Sequence, residues 1–506
     1  VKEVNNFFKS YIGPSSIKTV KVKIDNFYLA ITGAVLHLRG DSTVSQPLEN
    51  ERFVFLWNGE VFGGLDVDER KGDTKAVFEF IQKFDDKIFD LNHLMDMFSN
   101  IQGPYAFILL DKLEKMLYFG RDFLGRRSLL INEKHYSEEI IISSVGNGIR
   151  DFKELPSTGI HSISLSNDIS KNFVAYPKEL VLNKEVLMDT PSELLWETTV
   201  NETLLLLTES MKKRILNIPN IKSDDASVAI LFSGGLDCSV IAQLANDIAP
   251  LNVTIELLNV AFENPRYLKN IKNGSNDIFN VPDRQSGIES YLTLKKNNPT
   301  RNFVFVNVNV PFEDTEKHKR RVLSLMKPCS TVMDMSISLP FWFASRGHGV
   351  VKSDDNTFYD YKLKSKVLFS GLGADELLGG YGRHRVQFNL HSWKGLVDEM
   401  QRDLSRLNDR NLGRDDRIIS DHGREVRYPF LDENLIDYWR QLPVRLKCDP
   451  TLVEGLGEKI LLRKIAFDKL RLGETSHFKK RAIQFGSKTA KMMNPQEKGT
   501  DEINFS

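Results

Sequence analysis

The sequence predicts two domains of different class, an α+β domain followed by an α/β domain built on a parallel sheet. Three observations carry this. At 506 residues the chain is longer than one hydrophobic core supports. Residues 18–145 hold strand-like segments in runs with only two helical interruptions, the arrangement of a layered α+β domain. From about residue 196 strand and helix alternate, which implies parallel strands covered on both faces. The expected boundaries are 1–180 for the first domain, 181–195 for a linker, 196–491 for the second domain and 492–506 for a polar tail.

In the first half, TVKVKI (19–24) alternates apolar and charged residues, as a half-exposed strand does. FYLAITGAVLHL (27–38), RFVFLW (52–57), YAFILL (105–110), KMLYFG (115–120) and EIIISSV (139–145) are further strand candidates. DKLEK (111–115) reads as the hairpin connection between two of them. Helices are expected near 74–84 and 91–99.

In the second half, ETTVNETLLLLTESMKKRIL (197–216) is helix-like. Short buried strands follow at 228–232, 254–262, 303–310 and 366–370, separated by helices that include 312–326 and 337–345. Residues 266–279 are rich in Asn, Lys and Gly and read as a surface loop. Ligands of such a sheet bind beyond the carboxyl ends of its strands.

Composition excludes several classes. The 68 basic and 68 acidic residues cancel, so no gross field draws the chain to nucleic acid or to an anionic membrane. The longest run of one aliphatic residue is LLLL at 204–207, and no apolar stretch approaches the ~18 residues that cross a bilayer. Cys238, Cys329 and Cys448 are too widely spaced for a metal or disulfide pattern and suit a reducing, cytoplasmic compartment.

The stretch VAILFSGGLDCSVI (228–241) is strand, glycine turn, helix. Backbone amides in such a turn, with the partial positive charge of the helix N-terminus, favour phosphate or pyrophosphate. An ordinary βα turn, with Ser233 and Asp237 as capping residues, is the simpler alternative. No Gly-x4-Gly-Lys-Ser/Thr occurs, and GLGADELLGG (371–380) lacks the third glycine of a dinucleotide fingerprint.

KVLFSGLGADELLGGY (366–381) repeats the theme: apolar run, Ser370-Gly371, then Asp375-Glu376 at a helix start. Two Ser-Gly loops at two strand ends could face one anion, with Asp237 and Asp375 holding a divalent cation against it. Mg²⁺ suits a few carboxylates completed by phosphate and water. Helix capping alone is again the alternative.

With SGGLDC (233–238) and SGLGADE (370–376) the chain resembles the asparagine synthetase family of glutamine-dependent, amide-forming ATP pyrophosphatases. The likeness continues through REVRYPFLDENL (424–435) and GEKILLRK (457–464). The wordings LHLRG (36–40), FLWNGEVFGG (55–64), FGRDFLGRRSLL (119–130) and KRAIQFGSKTAK (480–491) look most like the eukaryotic asparagine synthetase domain-containing proteins. The resemblance covers nearly the whole chain except linker and tail. It implies an αββα glutaminase-like domain of the N-terminal-nucleophile type, followed by an ATP pyrophosphatase domain of the adenine nucleotide alpha hydrolase-like class.

For the C-terminal domain the resemblance implies that ATP adenylates a carboxylate, releasing pyrophosphate, and that ammonia then displaces AMP to leave an amide. Ser233, Gly234, Gly235, Ser370 and Gly371 would contact ATP, with Phe232 and Val260 lining the adenine side. Asp237 and Asp375 would bind Mg²⁺, and Lys459 would neutralise charge in both steps. Two departures stand out. Cys238 replaces a common serine, and Leu372 replaces the family glutamate of S-G-E-G, a candidate proton acceptor from the attacking amine. Asp283 of VPDR (281–284) resembles a family position, but Arg284 beside it does not.

For the N-terminal domain it implies a free N-terminal cysteine that attacks glutamine with its own α-amine as base. Arg39 would bind the glutamine carboxylate, Asn58 and Gly59 would form the oxyanion hole, and Glu60 and Asp73 would hold the substrate's amine. The chain as written starts at Val1, and no cysteine precedes Cys238. The lead-in to Arg39 is shorter than the family's, so upstream residues are expected.

The leading expectation is an enzyme taking ATP, Mg²⁺, glutamine and a carboxylate such as aspartate, with ammonia passed between domains. Its rival is a nucleotide-binding scaffold that keeps the fold without turnover. Neither nucleic acid nor membrane is an expected partner, and homo-oligomerisation is left open.

Overall fold

The computed structural model describes residues 15–503 except 69, 134–138, 147–150, 167–169, 188, 224, 269–277, 408–410, 491 and 493–497. The chain divides into two compact units. One comprises 1–179 with the short segments 324–329 and 407–423, and the other 180–323, 330–406 and 424–506. Two pieces from within the span 196–491 therefore cluster with the first unit.

The first unit is built on a six-stranded sheet in which every pairing is antiparallel. Its strands are β3 (Leu48–Glu49), β4 (Phe53–Gly59), β5 (Tyr105–Asp111), β6 (Met116–Arg121), β10 (Gly159–Ser164) and β11 (Lys171–Ala175), in spatial order β11-β10-β6-β5-β4-β3. Side chains alternate across a strand, so one sheet has two cores. Phe53, Phe55 and Trp57 of β4 pack with Tyr105, Phe107 and Leu109 of β5 beneath helices α1 (Asp73–Gln82) and α2 (Leu91–Asn100). Val54, Ala106 and Leu110 face the other way. They meet Ile24 and Ile31 of the hairpin β1 (Ser16–Ile24) and β2 (Phe27–Val35). A helix layer, the six-stranded sheet and the β1–β2 hairpin thus stack in that order.

Residues 112–115 join β5 to β6 as the sequence predicts, with Lys115 at φ 53° closing the turn. EIIISSV holds β8 (Ile140–Ser143), and short strands missed by pattern reading include β3 and the partners of β8 in its sheet, β7 (Leu130–Glu133) and β9 (Lys153–Glu154). The inserted segment 407–423 is fixed by buried charge. Asp416 takes the Arg127 guanidinium at 3.0 Å and the Ser128 amide at 3.0 Å, while Arg417 reaches Glu154 at 2.6 Å.

The second unit holds a seven-stranded sheet. It contains β12 (Ser227–Leu231), β13 (Thr254–Phe262), β14 (Phe303–Val310), β15 (His348–Lys352), β16 (Phe358–Lys362), β17 (Val367–Phe369) and β18 (Glu425–Arg427). Spatial order is β16-β15-β14-β13-β12-β17-β18. The five strands β14, β13, β12, β17 and β18, neighbours in that order, are parallel, as expected, but β15 and β16 form an antiparallel hairpin at one edge. The wholly parallel sheet is therefore corrected to a mixed one. FYDYK is exposed at four of its five positions and HGVVK at both ends, and an edge hairpin open to water does not need the continuous apolar run of a buried strand.

Before β12 runs helix α3 (Glu193–Ile215), which begins inside the stretch expected as linker, capped by Ser192 Oγ on the Leu195 amide. The loop expected at 266–279 falls largely on 269–277, outside the described residues. Of the expected tail, residues 501–503 bond to the chain at 330–332: Val332 N–H donates to Asp501 O and Ile503 N–H to Ser330 O. No helix among the described residues is long and apolar enough to cross a membrane.

The order of strands decides where a site forms. From β12 the chain winds one way through β13 and β14, then returns to β17 on the other side. The loops leaving the carboxyl ends of β12 and β17 thus diverge around a crevice, the position where open α/β sheets bind ligands. Those are the two Ser-Gly loops.

Candidate active site

The first loop, 232–235, leads into helix α4 (Leu236–Ile248). Gly234 has φ 78°, a left-handed backbone that side chains disfavour. A Cβ there would also lie 2.3 Å from the Ser286 carbonyl of helix α5 (Pro282–Asn297). Gly235 differs, since its Cβ would meet only Ser233 Oγ, at 3.4 Å. The first glycine therefore serves the turn and the packing, and the second leaves the loop open for close approach of a ligand. Ser286 Oγ donates to Ser233 O at 2.9 Å and Ser290 Oγ to Gly234 O at 2.7 Å, so α5 pins the loop.

Both loops fold alike. Ser233 Oγ accepts the Gly235 amide at 3.4 Å, and Ser370 Oγ accepts the Leu372 amide at 3.3 Å. They also touch: a Cβ on Gly371 would come within 2.9 Å of Asp237 Cβ. Asp237 stands in the first turn of α4, and Asp375 in the short helix 374–378 after the second loop. Gly380 leaves room for the latter, since its Cβ would strike Asp375 Oδ1 at 1.9 Å.

Lys459 joins the two carboxylates. Its ammonium lies 2.7 Å from both oxygens of Asp237 and 2.9 Å from Asp375 Oδ1. Its side chain is 3% exposed. The residue adopts φ 53°, ψ 37°, donates its amide to Leu378 O and accepts the Arg463 amide. A non-glycine residue in that region costs about 1–3 kcal/mol and persists only where its surroundings hold it. Burial opposes the charge on Lys459, but Asp237 and Asp375 outweigh it and hold its pKa above the usual lysine value. At Asp375 burial is likewise outweighed, by Lys459 and then Lys480, so its carboxyl titrates well below the usual range.

Lys480 is a member of this cluster that sequence reasoning missed. Its ammonium pairs with Asp375 Oδ2 and lies 4.7 Å from the centre of the Tyr381 ring. It belongs to KRAIQFGSKTAK, where no periodicity marks one lysine above another. Neighbouring Arg481 reaches toward Asp283, at 3.7 Å. Burial raises the Asp283 carboxyl to about 7, against the pull of Arg481.

Other expected residues have these places. Phe232 is buried, its ring edge-on to Phe305, and Val260 on β13 is half-buried. Cys238 donates to Gly235 O at 3.2 Å, and burial raises its pKa to about 11, so the thiol stays neutral. Arg284, the residue that departs from the family, is structural: it donates to Asn259 Oδ1 at 2.7 Å and to Asn309 Oδ1 at 2.8 Å, tying β13 to β14. Asn259 in turn donates to Phe232 O at 2.9 Å beneath the first loop.

The cluster fits a divalent cation. Two carboxylates from the helices that follow the two loops already converge on one cationic atom, the Lys459 ammonium. Oxygen donors of this number suit Mg²⁺, which takes its remaining ligands from phosphate and water.

The first unit brings together Arg39, Glu60 and Asp73. Arg39 Nη1 donates to Val61 O at 2.5 Å and lies 3.4 Å from Glu60 Oε2 and 3.5 Å from Asp73 Oδ2. Asp73 Oδ2 also accepts the Val61 amide at 2.9 Å. Asn58 and Gly59 end β4 immediately before this group. Asn58 is exposed, and Gly59 has no room for a side chain, since a Cβ would lie 2.5 Å from Pro104 O.

Comparison with known proteins accords with both arrangements. Residues 387–498 match the family model "Asparagine synthase", and residues 35–150 match "Glutamine amidotransferase domain". The chain is 35% identical to asparagine synthetase domain-containing protein 1 of Bos taurus, over 97% of this chain and 93% of that protein. It is 34% identical to the Homo sapiens protein of the same name, over 97% and 92%. Similarity to the asparagine synthetase [glutamine-hydrolyzing] of Gallus gallus is 24%, over 83% of this chain and 70% of that protein. With two glycine loops meeting at a lysine-bridged carboxylate pair and near full-length similarity to these relatives, the chain belongs to the family of asparagine synthetase domain-containing proteins.

Proposed function

We propose that this protein is a glutamine-dependent amide ligase that activates a carboxylate, most simply aspartate, as its acyl-adenylate. The observation that carries the reading is the bridge Asp237–Lys459–Asp375, which joins the two loops at the sheet's switch point. In the first step a substrate carboxylate oxygen attacks the α-phosphorus of ATP, and the bond to the β-phosphate oxygen breaks, releasing pyrophosphate. In the second, ammonia attacks the acyl carbon, AMP leaves, and one proton is lost from nitrogen.

The chain's own residues position and neutralise. Backbone amides around Gly235 and Gly371 receive phosphate oxygens, with the dipole of α4 behind the first loop. Phe232 and Val260 line the adenine side. Lys459 carries a fixed positive charge to where negative charge grows, and charge placed in advance is a large source of rate. Asp237 and Asp375 would hold Mg²⁺, which supplies charge neutralisation and orientation of the phosphates when bound. In the first unit, Arg39 takes the carboxylate of glutamine, Glu60 and Asp73 its amine, and Asn58 with the Gly59 amide the oxyanion.

The test is carboxylate-dependent exchange of labelled pyrophosphate into ATP. Exchange supports the ligase, and its absence with aspartate and with every other carboxylate tried removes it. A second reading, a nucleotide-binding scaffold, is favoured by Leu372, which offers no proton acceptor for the amidation step. Binding of ATP·Mg by calorimetry without AMP production would support that reading instead.

Two expected outcomes follow for variants. Leu372→Glu should raise amide formation relative to exchange by about 10²-fold, the scale of general-base assistance, measured as product per exchange event. Exchange itself should change little. Asn58→Ala should lower glutaminase turnover by roughly 10²–10³, with little change in KM, measured as glutamate release by protein carrying the N-terminal cysteine.

A further inference from the structure

We propose that a groove between helices α3 and α4 and the segment 469–470 is a second ligand site. It takes a free α-amino acid with a large aliphatic side chain. None of its walls comes from the two Ser-Gly loops, and the site stands independently of the ATP reading.

The groove encloses about 420 Å³, within the range of small-molecule sites. Leu204, Thr208, Lys212 and Leu216 recur at four-residue spacing, so they form one stripe along α3 to its C-cap. Leu244 and Ile248 of α4, with Leu470, complete an aliphatic lining. That lining holds no aromatic ring on which a base could stack. Leu216 is 47% exposed, an apolar surface that a ligand takes out of water.

Polar groups at the rim select the ligand. Asp247 Oδ1 accepts Gln243 Nε2 and Asn246 Nδ2, each at 2.9 Å, which fixes the carboxylate. Its Oδ2 has no protein donor among the described residues. Lys212 is held by Glu209 at 2.7 Å, whereas Lys469 has no ion-pair partner among the described residues. One uncommitted carboxylate oxygen and one uncommitted ammonium match the two charges of a zwitterion. A phosphate would meet Asp247 as well as Lys469, and a simple fatty acid would leave Asp247 unused.

Two helical runs tie the groove to the nucleotide centre. Helix α4 ends at it with Leu244, Asp247 and Ile248, and carries Asp237 in its first turn. The run that follows Lys459 ends there too: helix Ile460–Lys464 continues as a π-helical turn, Ile465–Lys469, closed by the Leu470 amide on Ile465 O at 3.0 Å. Such turns recur at functional sites. Amino-acid binding and ATP binding should therefore shift each other's affinity by one common factor. This linkage, unlike the ligand site, rests on the ATP reading above.

The experiment is ligand-observed NMR titration of the full chain with L-leucine, with isocaproate, which lacks the ammonium, and with isoamylamine, which lacks the carboxylate. Leucine should bind saturably with Kd at or below about 1 mM, and each analogue about tenfold or more weaker. Asp247→Asn should weaken leucine about tenfold and leave isocaproate within about threefold of wild type. Lys469→Gln should weaken leucine and isocaproate alike, and thermal melting verifies the fold of both variants. Absence of saturable leucine binding overturns the proposal. So does equal weakening of leucine and isocaproate by Asp247→Asn, the pattern of a merely structural carboxylate. Saturating leucine should shift ATP·Mg affinity by about fivefold or more, and an unchanged affinity overturns the linkage. A protein that binds leucine in this pattern but no ATP overturns the ATP reading and supports the ligand site.

Discussion

Lys459→Met is expected to abolish pyrophosphate exchange, with a loss on the order of 10³-fold or more, and to lower stability by about 3–5 kcal/mol. The stability term follows from what is left behind. Asp237 and Asp375 would face one another without the ammonium that bridges them, and removing one partner from a buried ion pair is more damaging than never having built it. Lys459→Arg should fail to restore exchange. The site holds a compact ammonium at 2.7–2.9 Å from both carboxylates, on a left-handed backbone, and a planar fork does not reproduce that point charge. Exchange assays and denaturant midpoints on both variants check this. A methionine variant with full exchange would separate Lys459 from the chemistry.

Lys447→Met is expected to do the opposite to stability. Lys447 is wholly buried, and its ammonium donates to Trp439 O at 3.2 Å. Burial lowers its pKa from the model-compound 10.5 to about 7. Because the folded value lies below the unfolded one, the unfolded chain binds more protons between them. Stability is therefore lost as pH falls from about 10.5 to about 7 and levels off below that. Methionine fills similar volume without the titration, so it should stabilise by about 2–4 kcal/mol at pH 7 and by much less at pH 10. Urea midpoints at the two pH values measure the difference. An equal gain at both would mean that packing, not charge, is responsible.

The parts of the fold that sequence made legible are those written in local pattern. Alternation in TVKVKI and the apolar run FVFVNVNV correspond to β1 and β14, and the helix at 312–326 has the expected bounds. The meeting of Asp237 and Asp375 was legible in the two repeated Ser-Gly loops, and the place of Lys459 beside them only through the family resemblance of GEKILLRK. What was not legible depends on distant pairing. Nothing near residue 416 announces that Asp416 will bind Arg127, and that pair helps to draw 407–423 into the first unit. The β15–β16 hairpin lacks an apolar run because it lies at a sheet edge. Lys480 meets Asp375 across 105 positions from a segment with no periodicity. Arg284 looked like a broken motif, and its role as a tie between strands appears only once Asn259 and Asn309 are seen beside it.

The central claim is that Asp237, Asp375 and Lys459 form one metal-and-polyphosphate centre. A crystal grown with Mn²⁺ and a non-hydrolysable ATP analogue, read by manganese anomalous scattering, tests it most directly. The account predicts one peak between the two carboxylates, with the Lys459 ammonium moved from them onto phosphate oxygen. An analogue bound at the loops with the metal elsewhere, and the lysine still bridging Asp237 to Asp375, would contradict it.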